Sequence, residues 1–313
     1  MQHYPHYPTR RILNLNGFWE FAWLGDADWD AVTPGGFCPE SSMAVPGVID
    51  TLPEYTQRRG VGMLRKLLPG DFESGERLRL KIGGMGLFGR IWFDGKHIGD
   101  CQLPYSGVSY EVTVDDDGPH ELVIAFDNRF DEERVPLFRP NYDFYGYGGI
   151  YRSVGLHRLT AHAIERAHVT PLDLETGLVR LAIVLDGDVS ATCHYKVAFD
   201  GGEPLGLEGT PENGRIEVEL RVPNPRVWSP DDPQLHVVEV SIDGDCIRER
   251  FGLRTIETRG QEILLNGAPI ELRGFNRHEA HPELGPAQTA SLMLTDLQWL
   301  KRMNCNFVRC VHY

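Results

Sequence analysis

Apolar and polar residues alternate along most of this chain with a period of two. Leu78, Leu80 and Ile82 interleave with Arg77, Arg79 and Lys81, the pattern of a strand with one buried face. Ile216, Val218, Leu220 and Val222 interleave in the same way with Glu217, Glu219 and Arg221. The run from Leu122 to Phe126 predicts a core strand. Asp94-Gly95 and Asp117-Gly118 lie between apolar runs and predict tight hairpin turns. Asp186-Gly187, Asp200-Gly201, Asn213-Gly214 and Asp243-Gly244 punctuate the strands further along. Many short strands separated by turn signals predict a β-sandwich, a jelly roll, over residues 1–160. A second sandwich of immunoglobulin-like size follows over 161–258, read from size and pattern because no Cys…Trp…Cys spacing is present.

After Gly260 the pattern changes. Glu262 to Gly267 reads as a hairpin arm turning at Asn266-Gly267, and Ile270 to Phe275 as a strand. Thr289 can cap a helix whose apolar face is Met293, Leu297, Leu300 and Met303, although the glutamate of a capping box is absent. Phe307 to Cys310 is a second strand. Strand, crossover helix and strand form a βαβ unit, which requires a parallel sheet. Polar residues cluster past the strand ends, as on the active-site face of a (β/α)₈ barrel. Such a barrel takes roughly 250 residues, so residues 259–313 are expected to be only its beginning.

The composition is that of a soluble globular protein, with 41% hydrophobic and 24% charged residues. No apolar run approaches the ~18 residues of a membrane span, and the first eleven residues lack the apolar core of a signal peptide. A net charge of −14 argues against nucleic acid or an anionic membrane as partner. The six cysteines show no metal-ligand spacing. They are expected to be free, mostly buried thiols in a reducing, cytoplasmic setting.

The order of several motifs resembles glycoside hydrolase family 2, the β-galactosidase and β-glucuronidase family, over nearly the whole chain. Leu15-Asn-Gly-Phe-Trp-Glu-Phe21 is similar to the family's opening L-N-G-x-W-x-F, and Val45-Pro-Gly47 to its next landmark. Phe144-Tyr-Gly-Tyr-Gly-Gly-Ile-Tyr-Arg-Ser-Val154 resembles the segment that closes the jelly roll. Trp228-Ser-Pro-Asp-Asp-Pro-Gln-Leu235 resembles a segment of the immunoglobulin-like domain. Phe251-Gly-Leu-Arg254 and Leu265-Asn-Gly267 resemble the passage into the barrel. Two departures stand out: Leu64-Arg-Lys66 replaces an aromatic residue before paired arginines, and Cys310-Val311 replaces two small residues near the sugar pocket.

The resemblance implies the amino-terminal part of a retaining β-glycosidase acting on terminal β-linked sugars, β-galactosides or β-glucuronides. No cofactor is expected, no residue is picked out as a metal ligand, and a homo-oligomeric parent is left open. The retaining route needs two carboxyl groups about 5–5.5 Å apart. The family's pair lies on later barrel strands, so the chain alone is expected to be inert. Its own contribution is the supporting wall. Asn276 and His278 follow the first barrel strand, and Arg309 and His312 end the second. The resemblance implies that the counterparts of His278, Arg309 and His312 line the sugar subsite or hold the catalytic glutamates, with Arg309 pairing a carboxylate rather than touching the sugar, and Asn276 is taken as a further substrate-binding residue. Strand-end polar residues also serve simply to satisfy backbone groups. Asp143, before the aromatic loop, has a counterpart that binds sugar from the jelly roll, and reads equally well as a turn-capping aspartate.

Gly83-Gly-Met-Gly86 lacks the helix of a phosphate loop and reads as a sandwich loop. Asp115 to Asp117 reads as a solvated turn rather than a calcium site, and Trp19 and Trp92 as core. His3 and His6 fall in a tail expected to be loose. The rival class is a non-catalytic carbohydrate-binding or assembly module.

Overall fold

The computed structural model describes residues 4–131, 133–134, 145–187 and 189–311. Two compact units emerge, one of Ile12–Arg158 with Gly274–Tyr313, the other of Met1–Arg11 with Leu159–Arg273.

The jelly-roll strands are β1 (Ile12–Asn14), β2 (Gly17–Gly25), β3 (Ser41–Val45), β4 (Val61–Leu68), β5 (Arg77–Ile82), β6 (Phe88–Phe93), β7 (Lys96–Cys101), β8 (Val108–Thr113), β9 (His120–Asp127) and β10 (Val154–Arg158). They form an antiparallel sheet in the order β3-β2-β4-β9-β6-β7 facing one in the order β1-β10-β5-β8. Between them lies a core of Trp19, Phe21, Leu64, Leu78, Leu80, Ile82, Ile124 and Phe126, each 0–1% exposed. The alternation at residues 77–82 thus resolves as expected, leucines and isoleucine inward. The run Leu122–Phe126 is apolar throughout for a different reason: the outer face of its sheet is also covered. There Val123 and Ala125 join Trp29, Val32, Val61, Met63, Phe88 and Trp92 in a second cluster. A strand buried on both faces loses its alternation.

Turn signals fared unequally. Asp94-Gly95 joins the paired strands β6 and β7 with both residues at positive φ (48° and 74°), the backbone of a type I′ turn. Asp117-Gly118 does not make the expected hairpin. It connects β8 to β9, which lie in opposite sheets, and Gly118 N–H bonds the Asp116 carboxylate instead. Asp-Gly marks a turn but not which strand the chain joins next.

The second sandwich comprises β11 (Ile164–Asp173), β12 (Leu178–Leu185), β13 (Cys193–Phe199), β14 (Leu205–Gly209), β15 (Arg215–Arg221), β16 (His236–Ile242) and β17 (Asp245–Phe251). Its sheets run β11-β12-β15 and β14-β13-β16-β17, around Ile164, Val179, Leu181, Ile183, Val238 and Val240. Two hairpins here turn at Asp200-Gly201 and Asp243-Gly244, again at positive φ. His236, 0% exposed, is a core histidine with both ring nitrogens engaged. Nδ1–H faces Asp200 Oδ2 at 2.7 Å, and Nε2 accepts from the Arg226 N–H at 3.0 Å.

The amino-terminal tail is not loose. His6 exchanges both backbone hydrogen bonds with Arg248 on β17, at 2.9 and 2.7 Å. Tyr7 enters the second sandwich's core. Arg10 is buried beside Asp245, whose carboxylate also accepts the Ile164 N–H at 2.7 Å. The segment thus belongs with the second sandwich and not, as expected, with the jelly roll; a lone aromatic and a lone arginine have no periodicity that would mark this. His3 lies outside the described residues.

A small sheet of β18 (Ile256–Arg259), β19 (Glu262–Leu265) and β20 (Ala268–Pro269) follows, turning at Asn266-Gly267 as expected. Then come β21 (Gly274–Arg277), the helix α1 (Ala290–Arg302) and β22 (Phe307–Cys310). β21 and β22 pair in parallel, Gly274 opposite Phe307 through Arg277 opposite Cys310. The βαβ unit is therefore present, but its first strand starts later than the expected Ile270. Residues 268–269 are spent pairing back on β19, and Ile270 N–H still bonds Ile263 O. A Cβ on Gly274 would stand 1.9 Å from the Phe307 carbonyl oxygen, so the parallel ladder begins where a side chain is absent.

Thr289 caps α1 through Oγ1, which accepts the Leu292 N–H at 3.4 Å. The expected apolar face is only half covered. Met293 and Leu300 are partly buried, whereas Leu297 and Met303 are 45% and 54% exposed. All six cysteines are free, with Cys101, Cys193 and Cys246 buried and Cys38 and Cys310 exposed. Among the described residues no helix is long and apolar enough to cross a membrane.

Candidate functional site

Parallel pairing decides which side chains share a face, because opposite residues in register project to the same side. Asn276 stands opposite Arg309, and Arg277 opposite Cys310. Arg277 turns toward the helix: its Nε donates to Asp296 Oδ2 on α1 at 2.9 Å. The same guanidinium reaches Glu279 Oε1 at 3.1 Å and Gln288 Oε1 at 2.5 Å. Alternation along β21 then sends Asn276 to the face away from α1, together with Arg309. There Arg309 donates to Asn276 Oδ1 at 3.3 Å, and both side chains are exposed. His278 is the first residue past β21 and is also exposed.

The structure thus brings Asn276 and Arg309 into contact and sets His278 at the adjacent strand end. It separates all three from Arg277, which sequence position alone groups with them. Arg277 is a brace between strand, loop and helix. Asp143 and His312 lie outside the described residues. His281 and Gly285 bond each other through both backbone groups, at 2.9 and 2.8 Å, and close the intervening loop.

Two further groups shape this region. Arg152 follows the aromatic loop of the jelly roll. Its guanidinium meets the Glu279 carboxylate and the Pro286 carbonyl. Glu279, 12% exposed, is therefore held between Arg152 and Arg277. Gly285, at φ +56°, leaves room where a Cβ would come within 3.0 Å of both Tyr147 and Val48. These contacts seat the start of the barrel on the jelly roll. Arg152 was legible only as part of a motif; its partners are more than a hundred residues away in sequence.

The loop before it is held by Asp50. Asp50 Oδ2 accepts the Gly148 N–H at 3.0 Å, and its carboxyl also bonds the Tyr145 phenol. The Arg59 guanidinium stacks 4.4 Å from the Tyr145 ring centre and donates to Gly146 O. Burial pushes the Asp50 carboxyl above its ordinary value of 3.8, with the Gly148 and Tyr145 hydrogen bonds and Arg59 opposing. Burial and the neighbouring Asp50 push Tyr145 up to about 12, so it remains a donor at ordinary pH. No sequence pattern singled out Asp50 or Arg59.

Chemically, Asn276, His278 and Arg309 offer an exposed set of hydrogen-bond donors and one fixed positive charge. Such a set can orient hydroxyls or pair a carboxylate. The nearby acids Glu279 and Asp296 are committed to arginines and are not an acid–nucleophile pair. Among the described residues no cluster could hold a metal ion.

Residues 162–254 match the model for Glycosyl hydrolases family 2, and residues 256–313 that for Glycosyl hydrolases family 2, TIM barrel domain. A putative beta-glucuronidase of Formosa agariphila is 27% identical over 304 residues, covering 93% of this chain and 36% of that protein. A beta-galactosidase of Photobacterium profundum is 29% identical over 279 residues, covering 79% and 25%. The crystal structure of a GH2 beta-galacturonidase from Eisenbergiella tayi bound to galacturonate superposes with a TM-score of 0.84 at 28% identity. The match covers all of this chain and 55% of that one. The Faecalibacterium prausnitzii beta-glucuronidase shares the fold at a TM-score of 0.83 and 23% identity. The chain spans 25–36% of the length of these curated relatives. With its motifs in order and the fold shared from end to end, the chain carries two adjacent domains of glycoside hydrolase family 2, over residues 162–254 and 256–313.

Proposed function

We propose that this chain supplies the non-reacting wall of a sugar pocket in a retaining β-glycosidase that removes terminal β-linked sugars of the β-glucuronide or β-galactoside class. The observation that carries the reading is the parallel pair β21–β22. It sets Asn276 and Arg309 in contact on one exposed face, with His278 at the strand end. Strand ends on that side of a barrel form its reaction face. In such a reaction one carboxyl attacks the anomeric carbon while the other protonates the leaving oxygen. Asn276, His278 and Arg309 do neither. They hold hydroxyls or a carboxylate in place, and positioning of this kind raises the rate by fixing the reacting geometry.

The test compares the 313-residue chain with a form extended through a complete barrel, on nitrophenyl β-glucuronide and β-galactoside. We expect turnover only from the extended form. Arg309→Ala in that form should lower kcat/KM by roughly a hundredfold, the loss of a charged hydrogen bond at the transition state. Hydrolysis by the 313-residue chain at a comparable rate would overturn the reading. So would sugar binding without turnover by the extended form, the signature of a binding module.

A further inference from the structure

The second sandwich carries a groove that the reading above does not use. It runs between β11 and β17, with a volume of about 470 Å³, within the roughly 300–1,000 Å³ of small-molecule sites. Its floor is apolar, formed by Ala167, Val169 and Phe251, which are 3%, 8% and 9% exposed. Tyr4 forms one wall, and its segment is tied to β17 by the two His6–Arg248 hydrogen bonds.

The rim is cationic. The Arg250 guanidinium lies 4.4 Å from the Tyr4 ring centre, and that of Arg254 lies 4.5 Å from the Trp228 ring centre. Stacking occupies the face of a guanidinium and leaves its N–H edge able to donate in the plane. Among the described residues neither arginine has a carboxylate partner, whereas Arg10, Arg215, Arg226 and Arg248 in the same unit each do. The lining includes a single acid, Glu249, whose Oε1 accepts the Arg250 backbone N–H at 3.0 Å. His168 completes the rim. Two guanidiniums against one carboxylate is a local excess of positive charge on a chain whose net charge is −14.

We propose that this groove binds a carboxylate-bearing saccharide. The arginine edges pair the carboxylate in the forked geometry that suits a planar anion. The apolar floor and the Tyr4 ring accept the C–H face of a pyranose. A small inorganic anion would satisfy the arginines and leave the floor unused, so the floor selects for the sugar. The site is built by residues of the second sandwich and the amino-terminal segment alone, independent of Asn276, His278 and Arg309.

The 313-residue chain suffices for the test. It is titrated by calorimetry with a galacturonic acid trisaccharide, a neutral trisaccharide of equal length, and inorganic phosphate, each at low and high salt. The acidic trisaccharide should saturate, at least tenfold tighter than either other probe, and weaken as salt screens the arginines. Arg250→Ala with Arg254→Ala should cost about tenfold or more. Arg180→Ala with Arg215→Ala, an equal charge change on β12 and β15, should leave binding unchanged, and circular dichroism confirms that each variant folds. Absence of saturable binding, equal affinity for phosphate, or full affinity in the double variant would each overturn the proposal. None of these outcomes bears on turnover by the extended enzyme.

Discussion

Asp50 illustrates how one residue can shape a loop at a cost in stability. Its carboxyl gathers Gly148 N–H and the Tyr145 phenol and thereby shapes the loop that ends at Arg152. Burial raises its pKa above 3.8, so the folded state binds the proton more tightly than the unfolded state. Stability from this group is greatest below that value and is lost as pH rises through the folded pKa. Asn at this position keeps an acceptor for Gly148 and carries no charge. Asp50→Asn should therefore melt higher than the parent at pH 7, with the difference closing toward pH 3.5. Thermal melts across that range check this, and a difference that does not change with pH would mean that burial does not raise the Asp50 pKa. No local pattern marks Asp50, because nothing around it repeats; only the approach of residue 148 makes it matter.

At the scale of elements, local chemistry was legible and partner choice was not. Asn-Gly and Asp-Gly pairs at 94, 200, 243 and 266 each sit at a true hairpin with both residues at positive φ. Such pairs tolerate that backbone in isolation, so the signal needs no tertiary help. Asp117-Gly118 breaks the chain equally well, yet sends it to the opposite sheet. The βαβ unit was legible through its cap, helix period and second strand. The first strand's register was not, since it depends on Gly274 meeting the backbone of residue 307. Gly274→Ala should accordingly destabilise the segment 274–311 by about 1–3 kcal/mol, the cost of overpacking. Hydrogen exchange should show faster exchange at β21 and β22 and unchanged protection at β4 and β9. Unaltered exchange in β22 would refute the close approach.

For the molecule as a whole, the two compact units predict two unfolding transitions rather than one. Arg10 and Asp245 are both nearly inaccessible, at 2% and 1% side-chain exposure. Removing one partner leaves a buried charge unpaired, which costs about 3–5 kcal/mol. Arg10→Ala should lower the transition of the unit containing residues 159–273 and leave the other in place. A single shifted transition in calorimetry would contradict the assignment of the amino-terminal segment.

The sequence by itself determined the strand-rich class, the two sandwiches, the βαβ beginning of a barrel, and, through motifs kept in order, the family. Periodicity, turn residues and short motifs act over a few residues, so they survive without the fold. Only the tertiary structure decided that residues 4–10 complete the second sandwich. It also decided that Arg277 braces the helix while Asn276 and Arg309 share the open face, and that Arg152 seats Glu279. Each of these joins residues far apart in the chain, and a pairing across such distances is set by packing, burial and charge compensation rather than by any local pattern.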